Sequence, residues 1–419
     1  MKIMWVTNQI VGSLAENKGL KPITGQWLNA ELKKEEHGFN ELLICTIANH
    51  GEEYLDGQVK YIILGHGNIV LFKVNDEAIN DWQKVIENEN PDCILIWGTE
   101  TAVGLAVLKA NQLTNKPVPV AVYIQGVMKS IYENYRGGFT DKEINDMTTL
   151  PEKIRHTGIF DIEKQYYEYY LREKEILKLT DYIILENKWA EKIYKEMNPE
   201  VKVLNNRLPI QMAFSQKDWN DERKEKHKII TSVAGYPLKG LHQLIKALCL
   251  VREKYPDVKL TIPGNNSFFV HGLKKRVSQH GFNRYIRRLI ETNGLENNIM
   301  FVGPLSPEKY AEEMSQSEVY ICASAIENHC STLREAMSVG VPCISSAVGG
   351  IPEFAKDNEN CLLYQFGDYE KMADCICRIF EDKNLRDKLS IEGKRTIKSM
   401  YDENPMMSLQ DIYIEMVNR

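Results

Sequence analysis

Ile326-Glu327-Asn328-His329-Cys330-Ser331-Thr332-Leu333-Arg334-Glu335-Ala336-Met337, followed by Gly340-Val341-Pro342 and Val348-Gly349-Gly350, lies between two apolar runs that read as strands, Val319 to Ala323 and Pro342 to Ser346. Strand, polar loop, helix and strand in that order form the repeating unit of a parallel sheet, because parallel neighbours require a crossover between them. Two glutamates bracket the loop that opens the helix. Free amides at a helix start attract phosphate, and carboxylates, which only accept hydrogen bonds, suit the hydroxyls of a sugar or a ribose. The stretch is therefore chemically suited to a sugar nucleotide. Thr332-Leu333-Arg334-Glu335 is also a capping box, in which Glu335 would only secure the helix start. Glu335 alone does not separate the two readings.

Outward from this block the same alternation continues. In the first half Lys2 to Val6, Glu41 to Thr46, Val59 to Leu64, Cys93 to Trp97, Val118 to Ile124 and Tyr182 to Leu185 read as strands, with amphipathic helices between most of them. The second half repeats the pattern with Ile229 to Val233, Val258 to Ile262, Met300 to Gly303, the two strands already named, and Cys361 to Tyr364. Leu241, Leu244, Ile245, Leu248 and Val251 recur at helical spacing and would cover one sheet face. The expectation is an α/β protein with two Rossmann-like, doubly wound parallel sheets. Asn206 to Glu225 lacks a period, contains Pro209 and reads as the connection. The expected domains are 1–209, 210–395 and a closing helical segment, 396–419.

The 419 residues carry a net charge of −6, which argues against a general nucleic-acid binder. Nine scattered cysteines, an odd number, read as reduced thiols of a cytoplasmic protein. Cys375-Ile376-Cys377 is the close-set pair, with no histidine nearby in sequence to complete a zinc site. The start, Met1-Lys2-Ile3-Met4-Trp5-Val6, turns polar too soon for a signal peptide, and no run of about 18 apolar residues would span a membrane. Lys274, Lys275, Arg276, Arg284, Arg287 and Arg288, with Phe268, Phe269 and Phe282 nearby, read either as a charged helix face or as a patch for peripheral contact with anionic lipid.

Glu327 and Glu335, with seven residues between them, running into Glu335-Ala336-Met337 and then Gly340-Val341-Pro342, resemble the donor-site signature of retaining group 1 glycosyltransferases of the bacterial polysaccharide type. That resemblance implies the GT-B fold, two Rossmann-like domains facing a cleft, with the last helix crossing back to the first domain. Ala234-Gly235-Tyr236-Pro237-Leu238-Lys239-Gly240 matches the family's Lys-Gly after the first strand of the donor domain. Tyr236 stands where the family often carries arginine; Arg207 is a candidate replacement, with a structural ion pair an equal reading. Lys21-Pro22-Ile23-Thr24-Gly25-Gln26-Trp27-Leu28 resembles the glycine loop that faces the donor diphosphate, with one glycine, Gly25, rather than a pair. Gln125-Gly126 stands where many relatives have histidine before glycine.

By this resemblance, Glu327 would bind the donor sugar's hydroxyls, Glu335 the ribose and Lys239 the diphosphate. The backbone of Ser331, Thr332 and Leu333 would hold phosphate oxygens, Gly235 and Tyr236 would line the same loop, and Gly303 to Leu305 would lie along the base. Lys239, Glu327 and Gln125 are the candidate catalytic residues. Glutamine is no proton acceptor at neutral pH, so Gln125 fits front-face retention, in which the leaving phosphate takes the acceptor's proton. The expected reaction moves a hexosyl group from a UDP- or GDP-linked sugar to a glycan or lipid-linked glycan in cell-surface polysaccharide synthesis. No Asp-x-Asp occurs in the chain, so a metal-free site without further cofactor is expected. The competing readings are a nucleotide-sugar epimerase, which needs a stronger acid/base set, and a non-catalytic nucleotide-sugar-binding protein. A nicotinamide dehydrogenase would need a glycine fingerprint that is not evident.

Overall fold

The structure, a computed structural model, describes residues 1–18, 28, 31–32, 41–66, 73–232, 235–264, 266–269, 279–403 and 405–418. These form two compact units, each built on its own sheet.

The first sheet has eight strands: β1 (Lys2–Val6), β2 (Glu41–Ala48), β3 (Glu52–Asp56), β4 (Val59–Gly65), β5 (Cys93–Trp97), β6 (Val120–Tyr123), β7 (Tyr182–Leu185) and β8 (Lys202–Asn205). Their order is β3-β4-β2-β1-β5-β6-β7-β8, and every pairing is parallel except the β3–β4 hairpin. All five residues of β5 and all four of β6 and β7 are buried, which is why these strands read as unbroken apolar runs: helices cover both faces. The two strands missing from the sequence expectation, β3 and β8, lie at the sheet edges. Glu-Glu-Tyr-Leu-Asp in β3 buries none of its residues, and β8 buries only Leu204, so neither has an apolar run to reveal it.

The second sheet has six strands: β9 (Lys228–Thr231), β10 (Lys259–Pro263), β11 (Ile299–Gly303), β12 (Val319–Cys322), β13 (Cys343–Ser346) and β14 (Leu362–Tyr364). All pairings are parallel, in the order β11-β10-β9-β12-β13-β14. In chain order this is 3-2-1-4-5-6, the dinucleotide-fold order, with a switch point between β9 and β12. The helix Leu241–Lys254 buries Leu241, Leu244, Ile245, Leu248 and Val251, the face its spacing predicts.

Unit membership departs from the expected domains at two places. Ser130–Tyr166, expected within a first domain of 1–209, groups with Ile210–Pro405, while the first unit comprises Met1–Lys129, Tyr167–Pro209 and Met406–Arg419. The reason is aromatic packing between residues distant in sequence. Phe139 stacks on the His242 ring at 4.5 Å and meets Phe282 edge-on at 6.2 Å, and His242 Nε2 donates to the Gly137 carbonyl at 2.8 Å. Glu152 accepts from the Gly281 amide at 2.9 Å. Gly281 is required there, because a Cβ would stand 2.1 Å from the Met147 carbonyl oxygen. At the other end, residues 396–405 belong to the second unit and the closing helix Leu409–Val417 to the first. Ile412, Tyr413 and Met416 are buried there, and Trp5 Nε1 donates to the Tyr413 hydroxyl at 2.9 Å.

Candidate active site

The switch point of the second sheet gathers most of the residues singled out by sequence. Beyond β9 the chain passes Gly235 and Tyr236 and makes one 3-10 turn, Pro237–Lys239, before the next helix. Gly240 closes that turn at φ +69, where a Cβ would lie 1.8 Å from the Ala323 carbonyl oxygen. Only glycine permits that approach. The Ala325 amide then donates to the Leu238 carbonyl at 2.7 Å, latching the turn to the loop that follows β12.

This latch sets Lys239 against Glu327. Lys239 Nζ donates to Glu327 Oε1 at 2.5 Å, and Ser324 Oγ donates to the same oxygen at 2.6 Å. Ser324 is itself held through its carbonyl, which accepts from Ser346 Oγ at 2.6 Å. Behind Glu327, Gly349 has φ +57 and a Cβ there would meet the Glu327 carbonyl oxygen at 1.8 Å, while the Gly350 amide donates to that carbonyl at 3.1 Å. The Val348-Gly349-Gly350 turn is thus the backing of the Glu327 loop. Burial alone would depress the Lys239 ammonium, but the Glu327 carboxylate outweighs it and holds the group well above its usual value. The lysine side chain is 27% exposed and the glutamate 15%, so a ligand can reach both charges.

The helix Ser331–Val339 starts two residues earlier than a capping box at Thr332 would require. Its N-cap is Cys330, and Thr332 lies inside the helix, with its hydroxyl 3.2 Å from Ser232 Oγ. Glu335 therefore caps nothing through Thr332. It is buried, and burial pushes its carboxyl up to about 8, opposed only in part by the Arg334 charge. The amides of Leu333 and Arg334 turn back to the Cys330 carbonyl, so those of Ser331 and Thr332 are the ones a helix start leaves for a ligand. Tyr236 is half-buried, its ring parallel to that of Tyr135 with centroids 6.4 Å apart, and burial raises its phenol. Leu305 is half-buried in the turn after β11, two strands out from β9.

Gln125 and Arg207 belong to the first unit, and Gly25 lies outside the described residues. Gln125 sits half-buried in the turn after β6. Beside it is a residue given no role in the sequence reading. Glu100 follows β5, next to the end of β1, where Asn8 Nδ2 donates to its Oε2 at 3.4 Å. Burial raises the Glu100 carboxyl, and the amides of Glu100, Gly126 and Thr99 and the Arg172 charge oppose the rise. Glu173 lies wholly buried nearby, accepting from Thr99 Oγ1 at 2.7 Å and Tyr194 OH at 2.6 Å, and burial lifts it to about 7. The available signal was positional: an acidic residue directly after a strand at the sheet's switch point.

The basic stretch divides. Lys274, Lys275 and Arg276 lie outside the described residues, whereas Arg284, Arg287 and Arg288 line a groove of about 540 Å³ together with Glu143, Asp146 and Glu291. Phe268 and Phe282 are core residues and offer nothing to a membrane. Among the described residues no helix is long and apolar enough to cross one.

Residues 214–396 match the profile of the family Glycosyl transferases group 1, and the charged pair and the start of the Ser331–Val339 helix both fall within them. Over these residues the chain is similar to the group 1 glycosyltransferases. Over 212 residues the chain is 24% identical to N-acetyl-alpha-D-glucosaminyl L-malate synthase of Bacillus anthracis, covering 49% of this chain and 50% of that protein. The chain thus spans about half the length of that curated relative. Among solved structures, sucrose-phosphate synthase from Thermosynechococcus elongatus superposes with a TM-score of 0.67 at 16% identity, covering 100% of this chain and 97% of the other. Anabaena HepE, solved in complex with UDP and glucose, gives 0.63 at 14%, covering 100% and 98%. The glycosyltransferase domain and its companion unit have the GT-B fold.

Proposed function

We propose that the chain is a retaining glycosyltransferase that moves a hexosyl group from a UDP- or GDP-linked sugar to a glycan or lipid-linked glycan in cell-surface polysaccharide synthesis, working in the cytoplasm or at the inner face of the membrane. The observation that carries this reading is the Lys239–Glu327 pair, partly exposed at the switch point of the second sheet and beside the amide-bearing start of the Ser331–Val339 helix. HepE, described with UDP and glucose, supports the choice of a nucleotide sugar as donor.

In this reading the Glu327 carboxylate accepts hydrogen bonds from the donor sugar and Glu335 from the ribose. The amides of Ser331 and Thr332 hold phosphate; that of Leu333, expected to join them, is taken by the Cys330 carbonyl. As the bond from the anomeric carbon to the diphosphate breaks, its electron pair stays on the phosphate oxygen, and Lys239 stabilises the charge that grows there. The acceptor hydroxyl attacks the same face and its proton passes to the departing phosphate, so a side-chain base is not required. Gln125 then orients a sugar hydroxyl through its amide. Lysine and helix amides neutralise the diphosphate, and a divalent metal is not needed for donor binding.

Thermal stabilisation across UDP-, GDP- and ADP-sugars identifies the donor, since a ligand at about 100 times its Kd adds about 2.7 kcal/mol. NMR of the product from an α-linked donor then reads the mechanism. An α-product supports retention, a β-product overturns it, and tight binding without transfer or hydrolysis identifies a non-catalytic binding protein.

A further inference from the structure

We propose that Cys322, Glu327 and Cys330 form a binding site for one thiophilic divalent cation of the zinc class, and that this cation competes with the donor sugar for Glu327. The competition rests on the glycosyltransferase reading; the cation site itself does not.

The geometry is that of a small coordination shell. Cys322 ends β12 and Cys330 caps the following helix, so the loop between them returns both thiols to one point. Their sulfurs are 3.5 Å apart, and the ligating atoms of Cys322, Cys330 and Glu327 all lie within 4.8 Å of one another. Tetrahedral zinc with two thiolates and a carboxylate needs ligand separations of about 3.5 to 3.8 Å, from Zn–S near 2.3 Å and Zn–O near 2.0 Å. Modest side-chain rotation closes the shell and leaves a fourth position for water. Both sulfurs are buried, whereas the Glu327 side chain is 15% exposed, so the carboxylate is the entrance.

Helix capping does not account for Cys330. An N-cap favours serine, threonine, aspartate or asparagine, yet this position holds cysteine at φ 44 and makes no side-chain cap bond. Its thiol instead meets that of Cys322 at 3.5 Å. Other cysteines lack such company. Cys343 and Cys361 donate to backbone carbonyls at 3.1 and 3.3 Å. All nine are unbridged.

Binding replaces two thiol protons by one divalent cation, so two protons are released per cation. The bound carboxylate loses the lone pairs it would offer a sugar hydroxyl, and the cation repels the Lys239 ammonium that otherwise pairs with it. Occupation therefore weakens nucleotide-sugar binding.

The test uses the reduced, full-length protein with Cd²⁺ as spectroscopic probe and Zn²⁺ in equilibrium dialysis. Expected are one tightly held cation per chain, a thiolate-to-cadmium charge-transfer band and release of two protons. Cys330→Ser, which places a favoured N-cap residue at the helix start, should abolish the band and the retained cation while the melting curve stays cooperative. The double variant Cys375→Ser/Cys377→Ser should keep both. Glu327→Gln should weaken retention without abolishing the band. Zinc should raise the apparent Kd for nucleotide sugar in the wild type and leave it unchanged in Cys330→Ser. A band that survives Cys330→Ser, or no retained cation in the wild type, overturns the site. A retained cation that leaves nucleotide-sugar affinity untouched overturns the competition. Failure of the metal-free protein to bind any nucleotide sugar sinks the functional reading and leaves the cation site standing.

Discussion

The two sheets share a winding and differ in what they place at its switch point. In the second unit β9 and β12 deliver charges of opposite sign, Lys239 and Glu327, joined at 2.5 Å and partly exposed. In the first, β1 and β5 deliver Glu100, with Glu173 buried close by, and both carboxyls are raised by burial. A diphosphate is favoured beside an ammonium and a helix start and disfavoured beside two carboxyls. On the proposed reading, the same topology offers an anion site in one unit and a hydroxyl-accepting site in the other. The difference comes from the few residues after each strand, since winding specifies only where a site forms.

The comparison breaks first at Lys239. Lys239→Ala removes the cation from the anion site and strands the half-buried Glu327 carboxylate. Steady-state kinetics should show turnover lower by about 10²- to 10³-fold, the scale of losing one electrostatic stabiliser. Activity within about twofold of wild type would end the anion-site assignment.

Glu327→Gln sharpens it. Calorimetry should find free nucleotide bound as before and the intact nucleotide sugar weakened by about 5- to 150-fold, the cost of an unmatched hydrogen bond of about 1 to 3 kcal/mol. Equal losses for the two ligands would move Glu327 away from the sugar.

Glu335 separates the units through pH. Unfolded, its carboxyl ionises near about 4.3; folded, near about 8. The folded state holds the extra proton between those values, so this group's contribution to stability is complete below the lower one and is lost as pH rises through the upper. Glu335→Gln should remove that decline, and denaturant titrations at pH 5 and pH 9 measure it. If the ribose requires the carboxylate, wild-type nucleotide affinity rises with pH through about 8, and the variant's stays flat. A variant that keeps the wild-type stability difference between the two pH values would show that Glu335 titrates near its ordinary value.

The smallest effect belongs to the first unit. Gln125→Ala should lower turnover several-fold and leave nucleotide affinity unchanged, because its amide is assigned to the transferred sugar. Turnover unchanged with the true acceptor would return Gln125 to a structural role. Donor affinity should also not fall in chelator; a collapse restored by magnesium or manganese would place a metal in the anion site after all.

Much of this was legible along the chain, for a local reason. Strands covered on both faces read as apolar runs, and helices between them show their buried stripe, so the two parallel sheets and the Leu241–Lys254 helix follow from spacing alone. Glu327, Glu335 and the Lys239-Gly240 turn stood out because the residues sit at recognisable separations. The edge strands β3 and β8 did not, because an edge buries too little to leave a pattern.

What the sequence determined by itself is the repertoire: two α/β sheets, a helix start with free amides, and a lysine and two glutamates near strand ends. Tertiary structure decided the partnerships. It assigned Ser130–Tyr166 to the second unit through Phe139, His242 and Glu152, set the helix start at Cys330 so that Glu335 became a buried acid, and brought Cys322 within 3.5 Å of Cys330. Periodicity records only which face of an element is covered. Which distant residue covers it, and how far water is excluded from a carboxyl, depends on contacts between elements that no local spacing encodes.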